Sequence, residues 1–352
     1  MHLTRSQVSS AYRQYLGRKR FFFLALCLCA GGALCLSLSI GASGLPLIRV
    51  VRGLVGLGDV RDRLILWNIR MPQAMAAVVA GAALSLSGVA MQAILRNPLG
   101  SPFTLGFSHA GAFGAALTVM VLDGLSERLP YAVMSVGPGI VAVGAFILCM
   151  LATGVILAVS AYRGASPETM VLCGVAIGSL CTAGTMILQY FADDIQLAAM
   201  VFWSFGDLGR ADWADLGLMV AVLLPAGLYF FLRRWDFNAV EAGDELARGL
   251  GVHVSRLRLV GLMVSALMVS VTVACLGVIG FVGLVCPHGV RRIIGDDHRY
   301  LLPTSAVAGA LLLLLADTAA RQIVAPHVLP VSVLTSFLGA PTFLWLLVRK
   351  RR

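Results

Sequence analysis

The sequence predicts an all-α polytopic membrane protein with about ten transmembrane helices, and three observations carry that expectation. The 352 residues are 59% hydrophobic and 12% charged, with a mean hydropathy of +0.89; a soluble domain carries roughly 25% charged residues. Apolar runs lie near 21–41, 72–95, 103–122, 131–161, 167–191, 213–232, 257–279, 281–294, 301–323 and 330–348, which makes ten crossings, several of them short against the about 20 residues a bilayer helix needs. Third, the net charge of +10 is spread in ones and twos between these runs. That is the pattern of loops in a multi-pass protein and not of a nucleic-acid surface, so residues 1–352 read as a single transmembrane domain.

Taken in order, the chain opens with Arg5, Arg13, Arg18, Lys19 and Arg20 before the apolar run Phe21 to Ile40. That run exceeds the roughly 7–15 residues of a signal-peptide core. It reads as an uncleaved first span, with 1–20 a cytoplasmic segment. The same orientation puts Arg96, Arg163, Arg233, Arg234, Arg248, Arg256, Arg258, Arg291, Arg292, Arg299 and the basic end Arg349 to Arg352 on the cytoplasmic side. The outer loops then hold mostly Asp193, Asp194, Asp207, Arg210 and Asp212. Segment 42–71 departs from the trend, placing Arg49, Arg52, Arg61, Arg63 and Arg70 outside. It is either a surface for an acidic partner or a solvated loop partly offset by Asp59 and Asp62. Small residues recur at helical spacing (Gly81, Ser85, Gly88; Gly111, Ala115; Gly174, Gly178, Gly184), where helices approach closely in lipid.

The longest polar interruption is Asp236 to Val252. Asp244 and Arg248 are spaced as an i,i+4 pair and Leu246 and Leu250 share a face, so a short amphipathic helix is expected at the cytoplasmic surface. Gly277 to Arg299 breaks the apolar pattern with Gly277, Gly280, Gly283 and Pro287. It reads as a broken helix at membrane depth, either a pore lining or subunit contact or a kinked packing helix.

The eight cysteines lie in or beside apolar runs without a C-x-x-C pair, the habit of small buried hydrophobes and not of a disulfide framework or metal site. With only Lys19 and Lys350, neither after a glycine-rich loop, the chain has no P-loop, and no H-E-x-x-H occurs. Ion-coupled transporters keep ionisable residues in their spans. Here 72–95, 131–161, 257–279 and 330–348 carry none past Arg258, which is counted with the cytoplasmic loops. His109, Asp317 and Arg321 lie deepest in apolar runs. The last two are spaced for mutual pairing, with Arg321 also suited to an outside carboxylate. His109 is a packed or pore-facing polar residue rather than a metal ligand. A transporter with neither an ATPase motif nor a coupling site takes its energy from another subunit.

Six ordered motifs carry a resemblance: LWNIRMPQ (66–73), GVAMQAILRNPLGSPFTLG (88–106), GDELARGLGV (243–252), GVIGFVGLVCPHGVRRIIGDDHRYLLP (277–303), GALLLLLADTAAR (309–321) and LPVSVLTSFLGAPTFLWLL (329–347). Over nearly its whole length the chain resembles the FecCD-type permease subunits of ABC importers for iron–siderophores, haem and cobalamin. The resemblance implies the type II importer permease fold and a prokaryotic inner-membrane location with both termini cytoplasmic. It also implies pairing as a homodimer or with a close paralogue, two ATPase subunits inside carrying ATP and Mg, and a solute-binding protein outside; no cofactor or metal is bound by this chain. It makes 236–255 the coupling loop, with Glu241, Asp244, Glu245, Leu246, Arg248 and Leu250 gripping the ATPase. Arg70 and Arg321 match arginines that meet the binding protein, while Gln73 stands where relatives often carry a second arginine. Asn97, Pro98, Leu99 and Ser166 match positions that narrow the cytoplasmic exit, with His109 beside the path.

Overall fold

Residues 74–91 are apolar or small on every side (AMAAVVAGAALSLSGVAM), and a helix with no polar face is buried all round. That segment is the centre of the bundle: almost every residue from Pro72 to Ile94 is buried. The computed structural model describes residues 5–41, 44–126 and 139–348. Residues 131–138 of one apolar run and the basic end Arg349 to Arg352 lie outside the described residues. The helices are α1 (Arg5–Ser39), α2 (Leu47–Leu54), α3 (Val60–Ile94), α4 (Phe107–Ser126), α5 (Gly139–Tyr162), α6 (Pro167–Phe191), α7 (Asp194–Ser204), α8 (Trp213–Leu232), α9 (Arg234–Ala242), α10 (Asp244–Gly249), α11 (Val254–Leu276), α12 (Val282–Ile294), α13 (His298–Ala320) and α14 (Val331–Val348). No strand occurs among the described residues.

Ten of these helices follow the ten apolar runs in order, so the about ten transmembrane helices expected of the sequence are present. Seven have the length and composition to cross a bilayer unaided, and α4 and α14 are shorter apolar helices. The tenth, α12, has 13 residues and extends about 20 Å, two-thirds of the about 30 Å hydrocarbon core. Its start is the expected break: Gly277 ends α11 at φ 79°, and Phe281 stands before α12 at φ 64°. Two features depart from expectation. Helix α1 begins at Arg5, so the described part of 1–20 is helical and continuous with the first span. The loop after α6 holds the extra helix α7, nucleated by a capping box between Asp193 and Gln196.

The small-residue rows do what close packing requires. Helix α3 lies against α13 where Gly81 faces Gly309: a Cβ on Gly81 would fall 2.3 Å from the Gly309 carbonyl oxygen. Ser85 Oγ donates across the same seam to Ser305 O at 2.6 Å. One turn further, a Cβ on Gly88 would fall 1.8 Å from Gly283 O of α12. Gly174 and Gly178 of α6 receive the turn at Leu105 and Gly106, and Gly184 receives the Phe113 ring.

Polar side chains collect at the two ends. One end gathers Arg96, Asn238, Glu241, Asp244, Arg258, Arg291, Asp297 and His298 in mutual contacts, with Lys19 over the Tyr300 ring nearby. The other gathers Arg70, Gln73, Asp317 and Arg321 on the last turn of α1, with Trp67 and Trp213 close by. Arg96, Arg258, Arg291 and Arg299, four of the residues assigned to the cytoplasm by charge, thus share one end, and Arg70, assigned outside, is at the other.

Candidate functional site

The end that carries α9 and α10 is the candidate site. The sequence expects one short amphipathic helix over Asp236 to Val252. The structure instead forms two helices joined at Gly243, whose φ of 136° is open to glycine and not to L side chains. Phe237 and Val240 of α9 are fully buried, with Phe237 stacked on His298 at 5.7 Å between ring centroids. Polar contacts fix the other face of α9. Asn238 Oδ1 accepts from the His298 backbone N–H at 2.9 Å and faces His298 Nδ1 at 2.9 Å. Its amide donates to Asp297 Oδ1 at 3.2 Å. Glu241 pairs with Arg291 at the end of α12, and Arg291 also reaches Asp296 at 3.2 Å. Burial alone pushes the Asp297 carboxyl up, but hydrogen bonds from Arg299 and Asn238 more than reverse it, leaving Asp297 ionised below the usual carboxylate range as the N-cap of α13.

Asp244 corrects the sequence reading. Its partner is not Arg248 one turn on but Arg258 of α11, through Arg258 NH1 and NH2 at 2.9 and 2.8 Å, with Arg96 at 3.7 Å. The pairing of fork and carboxylate is stronger and more directional than an exposed i,i+4 contact, and it leaves Arg248 exposed. Arg258 is 4% exposed and also donates from Nε to Ile94 O at 3.1 Å and from NH1 to Ala165 O at 3.5 Å. The sequence reading counted Arg258 among loop charges. Its one available signal was position, a basic residue between Leu257 and Leu259 in an otherwise apolar run.

With Phe237, Val240 and Ala247 facing inward, Leu246 and Leu250 face outward, 54% and 66% exposed, and Glu245 and Arg248 are exposed with them. Against α9 opens a cleft of about 840 Å³ lined by Gln92, Arg96, Asn97, Pro98, Glu241 and Arg291 among others. Of the proposed exit residues, Asn97 and Pro98 lie on that cleft. Asn97 Oδ1 accepts from Leu99 N at 2.9 Å, closing the turn, and Leu99 projects beyond it, 40% exposed. Ser166 is the N-cap of α6, accepting from Thr169 N at 3.2 Å. His109 lies near the start of α4, its ring 4.9 Å from that of Phe103 and against Gly178.

At the opposite end the two outer arginines are engaged within the chain. Arg70 NH1 donates to Leu38 O and Ser39 O at 2.6 and 3.0 Å. Arg321 donates to Ile40 O at 3.1 Å and Ser37 Oγ at 2.7 Å and pairs with Asp317 at 2.9 Å. Gln73 donates to Asp317 Oδ1 at 2.9 Å. A helix leaves its last four carbonyls unpaired, and here two guanidinium groups satisfy those of α1. Among the described residues no three His, Cys, Asp or Glu side chains group as a metal site.

The family model of the FecCD transport family matches residues 26–349. A Methanocaldococcus jannaschii protein described as an ABC transporter permease is 48% identical over 97% of this chain and 98% of its own length. The hemin transport system permease of Yersinia pestis is 43% identical, covering 81% of this chain and 83% of that protein. A vitamin B12 import permease of Citrobacter koseri is 38% identical, covering 83% and 85%. Among solved structures, an inward-facing metal-chelate type ABC transporter superposes with TM-score 0.79 at 29% identity, over 93% of this chain and 98% of that one.

Proposed function

The chain belongs to the FecCD transport family, and from that membership we propose that it moves an iron chelate, haem or cobalamin inward across the prokaryotic inner membrane as the permease of an ABC importer. It is a multi-pass transport component; in this reading ATP and Mg are held by two separate ATPase subunits, and no cofactor is held here. Two copies, or one copy and a close paralogue, enclose the path, and a solute-binding protein docks outside. The 352 residues act as one permease domain with both termini cytoplasmic.

The observation that carries this reading is the clamped elbow. Helices α9 and α10 are fixed to α11, α12 and α13 by Asp244–Arg258, Glu241–Arg291 and Asn238–His298, yet α10 exposes Leu246 and Leu250 while α9 lines an open cleft. An apolar pair on a rigid support suits a protein partner that has to pull. ATP-driven closure of the ATPase pair moves this elbow, the helices rock to face outward, and hydrolysis resets them. The binding protein meets the end carrying Arg70 and Arg321. Because those guanidiniums lie on the last carbonyls of α1, docking bears on α1 as well as on α3 and α13.

The siderophore, haem and cobalamin readings separate by experiment. The chain is reconstituted in proteoliposomes with its ATPase and binding protein, and uptake of each labelled compound is followed with and without ATP. ATP-dependent uptake of one of them supports the reading. Uptake by the chain alone on an ion gradient refutes it in favour of a secondary transporter.

A further inference from the structure

Three segments that lie far apart in the chain converge on one side chain. Arg258 is almost fully buried, and its guanidinium reaches Asp244 at the head of α10, Ile94 O at the end of α3, and Ala165 O in the turn between α5 and α6. The first is part of the proposed ATPase grip. The second and third stand immediately before the two proposed exit segments, Asn97 to Leu99 and Ser166.

Backbone conformation at the two turns is a separate observation. Among the described residues, three non-glycine positions have positive φ: Arg96 (46°), Ala165 (56°) and Phe281 (64°). Two of the three are in the turns that Arg258 holds. Both turns close by the same hydrogen bonds, Asn97 N to Gln92 O at 3.1 Å and Ala165 N to Ser160 O at 2.6 Å, the pattern that ends a helix on a left-handed residue; that residue is Arg96 in one turn and Gly164 (φ 73°) in the other, where the non-glycine Ala165 follows it with positive φ as well. L side chains resist that conformation, and such residues persist only where neighbouring structure over-determines them. Arg258 supplies that here, taking an end-of-helix carbonyl in one turn and the carbonyl of the strained residue itself in the other. Its five donors in a fixed plane make four bonds here, two of them a fork on the Asp244 carboxylate, whereas a lysine has three donors on one nitrogen and no fork.

We propose that Arg258 is the positioning residue that makes the coupling helix and both exit turns one mechanical unit, so that displacement of α10 by the ATPase shifts Asn97–Leu99 and Ser166 together. This rests on the importer reading above and adds the internal link between drive and gate. Three arms of one strut have different fates on mutation. Asp244→Asn weakens the arm to α10, together with the longer 3.7 Å pair from Asp244 to Arg96, and leaves the two carbonyl bonds in place. Arg258→Lys keeps the charge but loses the fork. Asp244→Glu keeps a carboxylate.

The test uses the full complex of chain, ATPase and binding protein in proteoliposomes, loaded with the solute it transports. Two quantities are read: solute moved per ATP hydrolysed, and the change in maleimide labelling of an Asn97→Cys variant between the nucleotide-free and vanadate-trapped states. Asp244→Asn and Arg258→Lys are expected to lower the transport ratio at least tenfold and to abolish the labelling change, with Asp244→Glu recovering most of both. A ratio within twofold of the parent in Asp244→Asn overturns the proposal. So does a lowered ratio with the labelling change intact, because the exit turn would then move without the strut. If Arg258→Lys does not assemble, Asp244→Asn decides, since its side chain is at the edge of the fold. Failure of the importer reading looks different: the parent complex itself then shows no ATP-dependent transport.

Discussion

The seam between α3 and α12 sets a quantitative test of how the bundle is held. Replacing Gly88 by alanine puts a methyl 1.8 Å from Gly283 O, whereas a relaxed C···O contact is about 3.3 Å. The backbones therefore have to part by about 1.5 Å. Both sides are backbone, so no rotamer change relieves the clash, and the cost lies at the upper end of the overpacking range, about 3 kcal/mol. Alanine returns about 1 kcal/mol of helix propensity, for a net loss of about 2 kcal/mol. Gly154 of α5 is the control, because nothing lies within 4 Å of its added methyl; there the same exchange keeps the gain of about 1 kcal/mol. The two single-methyl variants should differ by about 3 kcal/mol in opposite directions. Thermal unfolding of the detergent-solubilised protein reads the difference: Gly88→Ala should melt several degrees below the parent and Gly154→Ala at or above it. Equal midpoints would refute the close-packed seam. The displacement should also reach the functional end, since α12 runs from Gly283 to Arg291 and Arg291 holds Glu241.

At the outer end, Arg321→Met strands the buried Asp317 carboxylate with Gln73 as its remaining donor of those described above. A broken buried pair costs about 3–5 kcal/mol, and Arg321→Met with Asp317→Leu should recover most of it, as the melting midpoint of the double variant will tell. On the coupling face, Leu246→Asp with Leu250→Asp changes two exposed side chains. The bundle should melt as the parent does while ATPase affinity, measured by surface plasmon resonance on nanodiscs, falls at least tenfold; an unaltered affinity removes α10 from the interface. For Asp297 the folded carboxyl lies below its ordinary 3.8, so its stabilisation is complete above the unfolded value and is lost as pH falls through the folded one. Arg299→Met should therefore move the acid-unfolding midpoint to higher pH, and an unmoved midpoint would mean that Arg299 does not hold the carboxylate.

What the sequence discloses follows from the range of the forces involved. Hydropathy is a sum over about twenty neighbours in the chain, so all ten apolar runs could be placed, down to the short α12 after Gly277. Small-residue spacing is similarly local, and Gly81, Ser85 and Gly88 do face other helices. The polar ends were another matter. Asp244 was matched to Arg248 because helix periodicity makes residues four apart neighbours, but that rule compares residues within one helix and is worth a few tenths of a kcal/mol. The actual partner is fourteen residues away on α11, reached because Gly243 starts a new helix at an angle periodicity cannot supply.

The same limit of range makes Arg258 look like a loop charge in the sequence. Along the sequence a guanidinium at the edge of an apolar run reads as solvated, since burying one without partners costs far more than a run of leucines returns. Whether it is buried depends on acceptors brought from elsewhere, and here those are the ends of α3 and α5 with Asp244. Helix ends carry unpaired carbonyls by construction. A basic residue at the mouth of a span, in a bundle where several helices end at one level, is therefore as well placed to be a junction as a loop charge. Arg70 and Arg321 on the last turn of α1 make the same point at the other end. In this protein the charges at the helix ends hold the helices to one another, and their partners are fixed by the fold.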